Sequence, residues 1–129
     1  SNLAVIGRYV LEVNVPLDLQ TSAGEFVSLP FLFDTGTRFT TVPISLAERH
    51  EIPLETSHPV SIRGATGTGR GILSPLWFSF SQLPQWQFEC VCCFTEHDLS
   101  QPLLSLTDVV SHFNLRTAQP TALHPLGSE

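Results

Sequence analysis

The chain has 129 residues, enough for one domain with a real core and too few for two. It carries a formal charge of -6 with six Arg and no Lys, so no basic surface is available to neutralise phosphates, and nucleic acid is not an expected partner. With 42% hydrophobic and 14% charged residues, 10 Pro and 8 Gly, the composition fits a compact, turn-rich β protein and excludes a disordered segment.

Tyr9 to Leu19 alternates with period two. Tyr9, Leu11, Val13, Val15, Leu17 and Leu19 share one face and Glu12, Asn14 and Asp18 the other, which predicts a half-buried strand. Gln20 to Gly24 reads as a turn and Glu25 to Phe33 as the returning strand, with Pro30 marking an edge or a bulge. Ser1-Asn2 lacks the order of residues that makes a secretion signal, and no apolar run approaches ~20 residues, so a soluble domain is expected.

The returning strand runs into Phe31-Leu32-Phe33-Asp34-Thr35-Gly36-Thr37-Arg38-Phe39-Thr40-Thr41-Val42-Pro43. An acid delivered from the end of a buried strand, followed by a Gly that lets the backbone turn, holds a carboxylate rigidly inside a protein. By itself the tripeptide fits equally an Asp that caps a turn. Ser45 to His50 then predicts one or two helical turns, with Ser45 as N-cap, Glu48 in capping-box position and Pro53 as the stop. The stretch from Phe31 to Pro53 resembles the active-site region of retropepsin-like aspartic proteases: Asp-Thr-Gly after an apolar run, a small polar residue, a Thr-rich extended piece, then a short helix. The resemblance implies an all-β, single-domain acid protease barrel with one short helix near the C-terminus. It also implies dimerisation, with Asp34, Thr35 and Gly36 as the catalytic residues.

Val60 to Arg63 and Ile72 to Phe80 are extended runs around Gly64-Ala65-Thr66-Gly67-Thr68-Gly69-Arg70-Gly71. A hairpin tip so rich in Gly can adopt positive φ and move. No Lys-Ser/Thr follows it and no Gly-x-Gly-x-x-Gly opens a helix, so it is not a phosphate-binding loop. A flexible connector without function is the plain alternative. Its position resembles the flap of a retropepsin, which implies that Arg63, Gly64, Ala65, Thr66, Gly67, Thr68 and Gly69 close over substrate.

Trp86 to Phe94 predicts a further strand carrying Cys90, Cys92 and Cys93. Neighbours on a strand point to opposite faces, and three Cys cannot make a disulfide framework or a zinc site, so buried or half-buried thiols are expected. After a polar loop, Leu103-Leu104-Ser105 and the apolar run to Phe113 resemble the family's psi-shaped loop and the helix behind its catalytic turn. Ser105 stands where the family usually has Gly. Viral members pair an Arg after that Gly with an acid beyond the catalytic Asp; here those positions read Leu106 and Arg38, which makes Arg38 with Asp108 a candidate swapped pair. From Arg116 onward, two Pro and little alternation predict a loosely ordered tail. The expected division is thus a domain over 1–115 and a tail over 116–129, with dimer contacts made by the catalytic loops and flap.

Hydrolysis by this chemistry needs two carboxylates about 3 Å apart sharing one proton across a water. One acts as general base and the other as general acid, and activity falls on both sides of an acidic-to-mild optimum. The chain has four Asp (Asp18, Asp34, Asp98 and Asp108), and only Asp34 sits in an Asp-Thr-Gly setting. A homodimer that supplies a second Asp34 completes the pair on a two-fold axis, acting on a peptide or protein substrate. The five His show no zinc-protease spacing, so neither metal nor cofactor is expected. Two other readings stand beside this one. Ser105 and the missing Arg would suit a catalytically silent module for dimerisation or peptide binding. Trp77-Phe78-Phe80 hints at an apolar-ligand barrel, although Phe78 and Phe80 share a strand face and so read as core.

Overall fold

The computed structural model describes residues 5–6, 9–10, 12–64, 67–114 and 124–125. Two short strands, β1 (Val5–Ile6) and β2 (Tyr9–Val10), pair antiparallel. The main sheet starts with β3 (Asn14–Gln20) and β4 (Phe26–Asp34), a hairpin that sets Leu17 opposite Leu29 and Leu19 opposite Val27. In β3 the predicted alternation holds, with Leu17 and Leu19 buried and Pro16 and Gln20 exposed. The continuous strand expected from Tyr9 is broken, and Val13 is exposed. The reason is the partner: past Leu32 the ladder offers Val13 one more backbone bond, from Phe33 N–H at 2.8 Å, and β4 then ends at Asp34. Pro30 lies directly opposite Pro16, so two residues without N–H face each other in the ladder. On the other side of β4, strand pairing begins only at Leu32, which gives Pro30 the local edge that its sequence called for.

The chain continues through β5 (Thr40–Pro43), α1 (Ile44–Arg49), β6 (Pro59–Gly64), β7 (Gly67–Phe80), β8 (Phe88–Thr95), β9 (Leu103–Ser105), α2 (Leu106–His112), β10 (Phe113–Asn114) and β11 (His124–Pro125). The helix start differs from the expected one. Pro43 is the N-cap of α1 and no side chain caps it, while Ser45 lies exposed inside the first turn. β5 stays paired with β8 up to Pro43–Thr95, so the helix can begin only there, and the fixed φ of Pro (−61°) suits the entry. Nor does Pro53 stop the helix. Glu51 turns left-handed (φ 56°) and Ile52 N–H bonds Ala47 O at 2.8 Å, which brings Ile52 back into the core.

The sheet order is β3-β4-β9-β5-β8-β7-β6, and β3 also pairs with β7, which closes six strands into a barrel and leaves β6 on its flank. β7 is 14 residues long because it serves three neighbours: β6 at its start, β8 through its middle and β3 at its end. Leu17, Leu19, Phe31, Val42, Leu76, Phe78, Phe94 and Leu104 fill the barrel. Phe78, Phe80 and Phe88 pack with ring centroids 5.6–5.8 Å apart, so the aromatic cluster is core, and Trp77 points outward. Cys90 and Cys92 lie in that core, and Cys93, on the opposite face of β8, is buried too; all three are free thiols. α2 is the helix expected near the C-terminus, and β10 pairs antiparallel with β11. The loose tail expected over 116–129 otherwise falls outside the described residues. Among the described residues no helix is long and apolar enough to cross a membrane.

Phe94 is fully buried at the barrel centre. Phe94→Ala should cost about 3–5 kcal/mol of unfolding free energy in a denaturant titration, a large share of the ~5–15 kcal/mol available to a domain. A loss below about 1 kcal/mol would mean that the barrel interior is not packed as described.

Candidate active site

Asp34 is the last residue of β4, and residues 35–39 form the loop that leads to β5. The three residues of β9 lie between the two flanking strands. β9 runs parallel to β4, with Ser105 beside Asp34, and antiparallel to β5, with Leu103 beside Thr41. Both ends of the loop are thereby pinned by backbone pairing to one short strand. Asp34 is 4% exposed, and its Oδ1 accepts the Gly36 N–H at 2.8 Å, while Thr35 and Gly36 are exposed beside it. Gly36 does not take a positive φ, and a Cβ there would meet only Asp34 Oδ1 at an ordinary 3.4 Å. Within one chain, the turn itself does not require Gly.

Behind the loop lies a set of hydroxyl contacts. Ser105, fully buried, donates its hydroxyl to Thr37 O at 3.0 Å, with Arg38 O also in reach at 3.2 Å. The same oxygen accepts the Thr107 N–H at 3.2 Å, which makes Ser105 the cap of α2. Its own N–H bonds Thr40 Oγ1 at 3.2 Å, and Thr40 N–H bonds Asp108 Oδ2 at 3.1 Å. Ser105 does not take a positive φ, so its Cβ is accommodated where the family usually has Gly. Leu104 is core, whereas Leu103 is half-buried and lines the groove beside the loop. Sequence reasoning gave Thr40 no role and Asp108 only a possible partner, Arg38. The one hint was an acid in the first turn of a helix, where the dipole favours it. Arg38 and Asp108 line a common groove of about 590 Å3.

The larger groove, about 850 Å3, runs between the loop residues Gly36 to Phe39, the β6 residues Val60 to Arg63, and His97 to Leu99. Arg63 lies in its lining. Gly64 pairs with Gly67 at the end of the β6–β7 ladder, and Thr68 pairs with Arg63. Ala65 and Thr66 lie outside the described residues. Three of these glycines have local structural reasons. Gly67 has φ 124° and needs to be Gly, but at Gly69 a Cβ would overlap the His97 imidazole. At Gly71 it would meet the Ile62 side chain, Cys93 Sγ and Phe94 O. His97 comes from the loop after β8, and its Nε2 is buried without a hydrogen-bond partner among the described residues.

Burial, with the Asp108 carboxylate adding to it, pushes the Cys90 thiol up to about 12. Burial also pushes Cys92 and Cys93 up, so none of the three is poised as a nucleophile. Among the described residues no group of three or more His, Cys, Asp or Glu could hold a metal ion.

A family model described as aspartyl protease matches residues 19–106, which include the loop, both groove walls and β9. The solution structure of simian foamy virus (mac) protease is similar, with a TM-score of 0.50 at 18% identity over 76% of this chain and 92% of that one. So is the crystal structure of a retropepsin-like aspartic protease from Rickettsia conorii, with a TM-score of 0.50 at 16% identity over 84% of this chain and 96% of that one. No curated protein sequence matches the chain.

Two outcomes follow from the geometry. In the unfolded chain Cys90 loses its proton near 9, whereas in the fold it keeps it to about 12. Above pH 9 the unfolded state therefore binds fewer protons, and stability should fall as pH rises from about 9 toward 12. Denaturation at several alkaline pH values should show a shallower fall in Cys90→Ala. At the hairpin, Gly69→Ala should displace His97 and destabilise the fold, and adding His97→Ala should recover part of the loss. Additive losses in that double-mutant cycle would mean that the two residues do not share the space.

Proposed function

The chain belongs to the aspartyl protease family, and from that premise we propose that it is an endopeptidase whose water-activating pair is Asp34 and Asp34 of a partner subunit. The observation that carries this reading is the setting of Asp34: a buried carboxylate at a strand end, oriented by the Gly36 N–H, with Thr35 and Gly36 exposed next to it. None of the other three Asp sits in an Asp-Thr-Gly setting at a strand end. Asp18 takes the Ser81 hydroxyl at 2.7 Å on the barrel wall, Asp108 takes Thr40 N–H, and Asp98, in the loop after β8, lines the groove rather than a turn of this kind. A two-fold axis at the loop supplies the missing group. It also gives a reason for the absent Cβ at Gly36, which the turn within one chain does not supply: the partner's loop approaches there.

In the proposed reaction the ionised carboxylate takes a proton from the water, whose oxygen attacks the scissile carbonyl carbon, and the protonated carboxylate donates to the carbonyl oxygen. The resulting gem-diol then returns a proton through the pair to the amide nitrogen, and the C–N bond breaks. Thr35, exposed at the loop, is placed to bond across to the partner's loop. β6 is the outer strand of its sheet, so an extended peptide in the groove can pair with its free edge while the hairpin closes over it as a flap.

The test is cleavage of a mixed peptide library from acidic to neutral pH. Asp34→Asn should lower turnover by about 10³-fold or more, and wild-type activity per chain should rise with protein concentration as dimers form. A folded wild type that cuts nothing would support the silent dimerisation or peptide-binding module instead. Equal cleavage by both variants would rule out Asp34 chemistry.

A further inference from the structure

The residue that departs from the family pattern carries more than a fold requirement. We propose that Ser105 is a positioning residue for the catalytic loop, its hydroxyl holding the Thr37–Arg38 backbone so that the Gly36 N–H stays on Asp34; this rests on the protease reading above. The ends of the loop are already held by strand pairing at Asp34–Ser105 and Thr41–Leu103. Its middle is held otherwise. Thr37 O and Arg38 O both face Ser105 Oγ, at 3.0 and 3.2 Å. Thr37 and Thr41 spend their own hydroxyls on Phe39 O, at 3.1 and 2.8 Å, so neither is placed to replace Ser105.

Ser105 is 0% exposed, and a hydroxyl in that position has to both give and receive. It does, because Thr107 N–H fills an acceptor site on the same oxygen. One atom therefore links the first turn of α2 to the carbonyls just beyond Gly36. With Gly or Ala at this position the loop carbonyls and the helix N–H lose a common partner in a site closed to water. The loop is then free to shift, and small displacements of a reacting group cost large factors in rate. The family's Gly is thus not a neutral replacement here: the contacts of this chain have been built around the hydroxyl.

The experiment compares wild type with Ser105→Ala, Ser105→Gly and Ser105→Thr. In the Ala and Gly variants kcat should fall about 10–100-fold with KM little changed, and the Thr variant, which keeps the hydroxyl, should retain more activity than either. Amide hydrogen exchange supplies a readout that does not need catalysis. The Gly36 and Thr107 amides should exchange faster in Ala and Gly, while the barrel amides of Phe94 and Leu104 stay protected. Equal acceleration of all amides, or a Gly variant as active as wild type, would overturn the proposal. If wild type cuts no peptide the protease reading fails, and Gly36 exchange still decides whether Ser105 holds the loop. Should the Ala and Gly variants not fold, the wild type gives its own check: the Ser105 hydroxyl proton should exchange slowly enough to be seen by NMR, and rapid exchange with water would count against the clamp.

Discussion

β9, a strand of three residues, pairs with both strands that flank the Asp34 loop, parallel on one side and antiparallel on the other. Strand backbones need partners on every buried side, and two strands that diverge around a loop cannot supply them for each other. β9 fills that gap and passes directly into α2, so the helix start, the loop and the end of β4 form one bonded unit. The pairing of Asp34 at the end of β4 with Ser105 follows from this insertion. Ser105 and Asp108, at the end of β9 and the first turn of α2, extend the same unit by side chains to Thr37, Arg38 and Thr40.

The barrel serves this unit from beneath. Phe31 and Leu32 anchor β4 in apolar surroundings, Leu104 anchors β9, and Val42 anchors β5, so each strand that meets the loop is buried within a few residues of it. Over the loop, the β6–β7 hairpin makes the far wall of the groove. That wall is packed more closely than its glycines imply, since Gly69 leaves room for the His97 ring and Gly71 for Ile62 and Cys93. Within these contacts the one backbone demand for glycine among the described hairpin residues is at Gly67, which takes positive φ.

Most of the architecture was legible because its signals are local. Period-two alternation marked Leu17 and Leu19 as inward, and Phe78 with Phe80 as core. The run Phe31 to Gly36 announced a strand that ends in an acid. What misled was also local: Ser45 resembles an N-cap and Pro53 a helix stop, but α1 starts where β5 is released by β8 and ends where Ile52 is pulled into the core. The strand expected from Tyr9 failed for the same kind of reason, since alternation says which face is apolar and not how far the partner strand extends.

The sequence by itself determined the all-β class, the place of Asp34-Thr35-Gly36 at a strand end, the hairpin beyond it and the burial of the thiols, because each depends on residues within a few positions of one another. Only the tertiary structure decided that Ser105 reaches back 67 and 68 positions to Arg38 and Thr37, that Asp108 takes the Thr40 amide, and that His97 occupies the space beside Gly69. Those contacts join segments far apart in the chain, and no short-range pattern encodes a hydrogen bond whose two ends meet only when the barrel closes.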